Sequence, residues 1–360
     1  MGTSLARTVD PTSTLPGVEL ASGRAGSPAA KPARHVLRYA LGRLCWAVPT
    51  ILGILVVGFV VTRILPGDPV QALMGEFPAP PGYADELRRQ FGLDQPFYVQ
   101  FWLYLVALAR GDLGYSFAHQ APVLSIVLER AVYTLFLMVP ALTLASILGV
   151  LLGAVAAPRA GSKWDAFITM VSICGQSVPV FWLAMMLILV FAVSLGILPA
   201  SGMRSVSAAP SAVAALIDYL RHLVLPGITL TLAYMAVVAR VSRSAMIESL
   251  HQDYVLTAQA KGLTRREALW RHALPNSLAP IATVIGFNFG YVLTGAVLTE
   301  TVFGWPGVGS LFISSIANRD YPVIEGIFLF STITVVVVNL LIDLLYFAID
   351  PRVRADNARP

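Results

Sequence analysis

Six long apolar runs constrain this chain more than any other feature. They cover roughly residues 41–64, 133–156, 166–196, 223–246, 278–300 and 325–349. A hydrocarbon core about 30 Å thick needs about 20 helical residues to cross it, and each run is long enough. Lipid offers no hydrogen bonds, so every backbone group inside it must pair within the protein. Helices meet that demand, and the runs lack the period-two alternation of a membrane barrel. Hydrophobic residues make up 56% of the chain and charged residues 12%, with a mean hydropathy of +0.72. A soluble domain is nearer a quarter charged. The expected fold is therefore an all-α polytopic membrane protein with six transmembrane helices, the third broken at Pro179.

Basic residues set the expected orientation, because loops that stay in the cytoplasm are enriched in Lys and Arg. With a cytoplasmic N-terminus, the segments 1–43 and 157–165, the central loop and the C-terminal tail hold 17 of the 25 basic residues. The opposite face holds eight basic and eleven acidic residues. Both termini are thus expected in the cytoplasm, and the net charge of +5 follows from topology. No basic face interleaved with aromatics supports a nucleic-acid partner. Residues 1–36, rich in Ala, Gly, Ser, Thr and Pro, read as a disordered cytoplasmic tail, and 353–360 as a short second one. Between them, 37–352 form the transmembrane unit. Cys45 and Cys174 lie far apart, in or beside apolar runs, and indicate neither a disulfide framework nor a metal site.

One polar stretch breaks the apolar pattern. Residues 253–275 carry Asp253, Thr257, Ala258, Ala260, Lys261 and Gly262, then Thr264, Glu267, His272, Leu274 and Pro275. The spacing predicts two short helices broken at a glycine. Gly262 suits the left-handed position that ends a helix. Thr264 and Glu267 form a T-x-x-E capping box that starts the next one, and Pro275 is expected to stop it. Ala258 and Gly262, one turn apart, leave room for a partner's close approach. A compact helix-turn-helix on the cytoplasmic face presents itself to a soluble partner.

This segment resembles the EAA loop of ATP-binding-cassette importer permeases. The family pattern E-A-A-x-x-x-G, nine residues, then I-x-L-P, fits the spacing from Gly262 to His272-Ala273-Leu274-Pro275. Leu256 and Thr257 replace the Glu and first Ala, and T-A-x-A-K-G is similar to the dipeptide/oligopeptide/nickel branch. Four further stretches carry the same resemblance in order. They are Leu65-Pro66-Gly67-Asp68-Pro69; Phe91-Gly92-Leu93-Asp94-Gln95-Pro96; Gly111-Asp112-Leu113-Gly114-Tyr115-Ser116; and Glu300 to Gly309 followed by Arg319-Asp320-Tyr321-Pro322. The resemblance spans residues 36–352 and implies a type I importer permease fold in a bacterial inner membrane. It also implies a second homologous permease, two cytoplasmic ATPase subunits and an external solute-binding protein as partners. Peptides are the implied cargo, with nickel, glutathione or another small solute as alternatives.

The external segment 66–132 is too long to be an idle connection. It reads either as an interfacial helix that seals the bundle or as a docking surface, with Asp85, Glu86, Arg88 and Arg89 as the docking rim. Asp343, within the last run, reads as a structural hydrogen-bonding group. The chain has no G-x-x-x-x-G-K-[ST] phosphate loop, no H-E-x-x-H and no G-x-S-x-G. It is read as a non-enzyme without cofactor or metal, so uphill transport needs ATP hydrolysis on another chain. A secondary transporter or channel is the alternative class, but it leaves 253–275 unexplained.

Overall fold

The computed structural model describes residues 32–64, 94–116, 118–205, 211–290 and 296–349, with Gly82, Asp85, Glu86 and Arg89. Side chains are described from Ala47 to Ile342. Leu65 to Pro69, Phe91 to Leu93, Arg88 and the Asp343 side chain lie outside the described set.

The chain enters through α1 (Pro32–Ile64) and then forms α2 (Phe97–Ala109). A small hairpin of β1 (Tyr115–Ser116) and β2 (Ala121–Pro122) follows. α3 (Val123–Ala156) leads to α4 (Lys163–Ser177) and α5 (Val180–Leu187), which continues as a π-helical stretch to Ser194. α6 (Ala212–Leu250) is the longest helix. The polar segment holds α7 (Asp253–Ala260) and α8 (Arg265–Ala268), the latter running through a π turn (Leu269–Ala273) into α9 (Leu274–Gly290). Short helices α10 (Val297–Val302) and α11 (Val308–Ala317) precede α12 (Tyr321–Ile349).

Among the described residues, four helical stretches are long and apolar enough to cross a membrane: 47–64, 123–159, 212–250 and 321–342. α4 and α5 make a fifth only as a pair, bent by 96° at Val178–Pro179. The ring of Pro179 fixes its own φ and pushes Val178 out of the helical region; Val178 sits at ψ 125. The apolar run at 278–300 is described as two helices, α9 and α10. Two elements begin earlier than the apolar runs suggest. α3 starts at Val123 behind Pro122, and α6 at Ala212 behind Ser211, whose hydroxyl caps the Ala214 amide at 3.2 Å.

α3 and α6 cross closely at two glycines. A β-carbon at Gly149 would stand 2.6 Å from Val238 Cβ, and one at Gly153 would stand 2.6 Å from Ser242 Cβ. Small residues one turn apart let membrane helices approach to backbone contact, where dispersion replaces the hydrophobic driving force that lipid removes. Gly286 does the same for α9 against Ile342 of α12, and Gly326 for α12 against Val123.

Gly153→Leu is expected to wedge α3 from α6, costing about 1–3 kcal/mol or preventing insertion altogether. Gly53→Leu on α1 meets nothing within 4 Å and should leave stability unchanged. Thermal unfolding of the two purified variants in detergent distinguishes them.

Candidate functional site

The polar segment is tethered to the bundle by one face. Val255, Ala258, Ala268, Leu269 and Ala273 are buried, and all but Ala258 join Ala154, Ala157, Met246, Leu250 and Ile281 in one apolar cluster. Polar groups fasten the same joint. Ser249 Oγ lies 2.5 Å from Tyr254 Oη and donates to the Ala273 carbonyl at 3.2 Å. Ser277 Oγ donates to the Ala273 carbonyl at 2.8 Å and is 3.1 Å from that of Ala245.

The turn follows from residue chemistry. Gly262 has φ +97, a region that an L side chain enters only with strain, although no atom lies within 4 Å of where its Cβ would be. The capping box is complete. Thr264 Oγ1 accepts the Glu267 amide at 3.3 Å, and Glu267 Oε2 accepts the Thr264 amide at 3.0 Å. The hydrogen bonds that the carboxylate accepts, first from the Thr264 backbone amide and then from the Thr264 hydroxyl at 2.8 Å, hold the Glu267 carboxyl below the usual carboxylate range.

Two expectations need correction. Pro275 does not stop the helix. The chain passes from the π turn directly into α9, and the Leu274 amide bonds the Leu269 carbonyl five residues back. That widened turn absorbs the crowding a proline ring brings against the carbonyl at i−4. Ala258 faces its own bundle and is only 6% exposed, so its small side chain serves internal packing. Asp253, Thr257, Ala260, Lys261, Gly262, Glu267 and Pro275 are exposed, while His272 and Leu274 are half-buried. Sequence reasoning missed the bare apolar side chains of this region. Leu256 is 52% exposed, and Tyr254 and Trp270 are also exposed. The alternation of Val255 and Ala258 with Leu256 is the signal that separates the two faces. Close by, Asp165 and Arg243 form a two-pronged pair at 2.5 and 2.7 Å, tying α4 to α6 beside a cavity of about 430 Å³.

On the other face, the motif residues pair with one another. Glu300 is fully buried. Its Oε1 accepts the Thr134 hydroxyl at 2.7 Å, and its Oε2 accepts the amides of Gly309 and Ser310 at 2.7 and 3.1 Å. A carboxylate side chain thus caps α11, as favoured at a helix start. A β-carbon at Gly307 would stand 2.2 Å from Glu300 Oε1, so only glycine lets the turn close. Trp305 is also fully buried and donates its indole N–H to the Tyr133 carbonyl at 2.8 Å. Ser116 donates to Asp320 at 2.5 Å, closing the 111–116 motif onto the 319–322 motif. Glu325 accepts Thr62 at 2.6 Å and Arg63 at 2.9 Å. Asp85, Glu86 and Arg89 are exposed. These arrangements bind segments together and place no reactive pair over a cleft.

Comparison with known proteins identifies the family. The family described as "Binding-protein-dependent transport system inner membrane component" matches residues 149–355, and its N-terminal companion matches 36–138. The "Di/tripeptide transport system permease protein DppB" of Pseudomonas aeruginosa is 41% identical over 334 residues, covering 89% of this chain and 99% of that protein. The "Dipeptide transport system permease protein DppB" of Escherichia coli is 38% identical with the same coverage. The "Glutathione transport system permease protein GsiC" of Escherichia coli is 37% identical, again over 89% and 99%. Among solved structures, the inward-facing MetNI methionine ABC transporter aligns with a TM-score of 0.51 at 14% identity, over 63% of this chain and 97% of that one. That likeness concerns the fold.

The lowered acidity range of Glu267 carries a sign. The cap is fully present above the ordinary Glu pKa and is lost as pH falls through the lowered value. Thr264 and Glu267 amides should therefore keep their hydrogen-exchange protection at pH 7 and lose it in acid, after correction for intrinsic rates. Glu267→Gln, which keeps the acceptor without the titration, should make that protection independent of pH.

Proposed function

The chain belongs to the family of binding-protein-dependent transport system inner membrane components, and from that membership we propose that it forms half of the translocation pathway for peptides delivered by an external solute-binding protein. It is a permease subunit of an ATP-binding-cassette importer, a multi-pass protein of the bacterial inner membrane rather than an enzyme. The working assembly in this reading contains a second homologous permease, two cytoplasmic ATPase subunits and the binding protein. Six membrane crossings with both termini in the cytoplasm complete it; the distribution of basic residues supports that topology.

The observation that carries the reading is the two-sided build of α7. Val255 and Ala258 anchor it to the bundle, while Leu256, Thr257, Ala260 and Lys261 remain exposed. A bare Leu at 52% exposure on a polar cytoplasmic loop fits a cleft on a soluble partner, which we take to be the ATPase. The external rim of Asp85, Glu86, Arg88 and Arg89 is our candidate for meeting the binding protein. Glutathione is the second cargo reading, supported by the 37% identity to a glutathione permease.

Reconstitution of the full complex in lipid nanodiscs tests both surfaces. Leu256→Asp and Gly262→Trp should abolish uptake and substrate-stimulated ATP hydrolysis while the protein still inserts. Normal uptake in both would sink the coupling role. Reversing the four rim charges should slow binding-protein association at low salt and leave ATPase assembly intact; an unchanged on-rate removes the rim.

Orientation has its own check. Single cysteines at Ser4 and Gln252, in a chain lacking Cys45 and Cys174, should resist a membrane-impermeant thiol reagent until the cells are lysed.

A further inference from the structure

α2 has no charged residue in its thirteen positions, FYVQFWLYLVALA. Charges stand just outside it, Asp94 before its start and Arg110 and Asp112 after its end. Its two faces differ in their neighbours. On one, Phe97, Phe101 and Tyr104 close around Phe59 of α1, with ring centroids 5.1, 5.2 and 5.6 Å away. Phe59 is fully buried there, and the Arg63 guanidinium lies 4.5 Å over its ring. On the other face Tyr98 is 74% exposed, Trp102 65% and Leu103 51%.

This bare face belongs to a helix clamped at the outer end of a membrane span. Around α1, Gly58 and Thr62 face α12, at Phe328 and Glu325. Phe59 and Arg63 face α2. Val57, Val61 and Ile64 recur at i, i+4 and i+7 and are exposed, so they share one face of the span, and we take that face to meet lipid. That stripe runs to the last described turn of α1, so hydrocarbon reaches the level at which α2 is attached. Trp and Tyr concentrate at that depth, where an apolar ring can sit in lipid with its polar edge in the headgroups. A charge-free helix about 20 Å long, bracketed by charges and carrying Tyr and Trp on its open side, matches an interfacial helix better than a protein-docking surface. The core of a protein interface is also rich in Tyr and Trp, and it is continuity with the exposed stripe of α1 that favours lipid as the occupant.

We propose that α2 lies in the outer headgroup region with Tyr98, Trp102 and Leu103 seated in the outer leaflet, so that it fixes the outer end of α1 to the bilayer surface. The external segment is thereby divided by chemistry. The charged stretch around residues 85–89 is left to meet water and soluble protein, and α2 meets lipid.

Site-directed spin labelling of the complete complex in lipid nanodiscs tests this. Single cysteines replace Tyr98, Trp102 or Leu103, with Asp94 and Arg110 as flanking controls, in a chain lacking Cys45 and Cys174. Labels at 98, 102 and 103 should be relaxed by lipid-soluble oxygen over a water-soluble nickel chelate, at a ratio several-fold above that at 94 and 110. A ratio equal to the controls would overturn the proposal by placing the face in water. Shielding from both reagents would overturn it by placing the face under another subunit. Loss of the oxygen effect on adding the binding protein would assign the surface to docking instead. Three labelling positions on one face ensure that failure of one substitution to assemble does not decide the result.

Discussion

The close crossing of α3 and α6 is the contact on which the rest of this structure depends. Both helices are long enough to reach from one side of the bundle to the other, and they meet backbone to backbone where Gly149 and Gly153 leave space for Val238 and Ser242. Toward one end they contribute Leu137, Met138, Leu142 and Leu230 to the cluster that holds Trp305 and Val308. Toward the other they contribute Ala154, Met246 and Leu250 to the cluster that holds Val255, Ala268 and Leu269. The turn at 300–309 and the 253–275 loop are thus seated on different ends of one helix pair. Close-packed interiors transmit displacement with little give.

Each end is then locked by buried polar pairs between segments distant in sequence. Thr134 meets Glu300, Ser116 meets Asp320, Thr62 and Arg63 meet Glu325, and Asp165 meets Arg243. A buried polar group without a partner is costly, so each pair penalises any arrangement that separates its two segments. The motif residues from Glu300 to Gly309 owe their pattern to this work. Gly307 and Gly309 are small because the Glu300 carboxylate and the Val297 backbone occupy the space a side chain would need.

Local chemistry was legible from sequence wherever it was complete within a few residues. The turn at Gly262, the Thr264–Glu267 box and the break at Pro179 all depend on neighbours in the chain, and the structure has each of them. What was not legible depended on partners elsewhere. Pro275 continues a helix because the preceding turn widens to the i−5 pattern, a choice made by the packing of Leu269 and Ala273 and invisible in the proline itself. Ala258 looked like a docking contact because small residues serve internal and external approach equally well. Only its burial decides between them. The aromatic side of α2 was readable as apolar, but its division into a face around Phe59 and a bare face required the position of α1.

The same division of faces governs how the 253–275 loop is held. α7 has eight residues, too few to hold a helix in isolation. Its order comes from Val255 in the apolar cluster, from the buried Ala258 and from the Ser249 and Tyr254 pairing at its entry. Because that support reaches α3 and α6 directly, a push on the exposed Leu256 side meets a body continuous with the crossing. A loop fastened only by its own hydrogen bonds would yield to the same push. Under the proposed coupling role, the tether rather than the exposed surface would carry a soluble partner's movement into the bundle, and of its side chains on α7 only Ala258 belongs to the loop's sequence pattern.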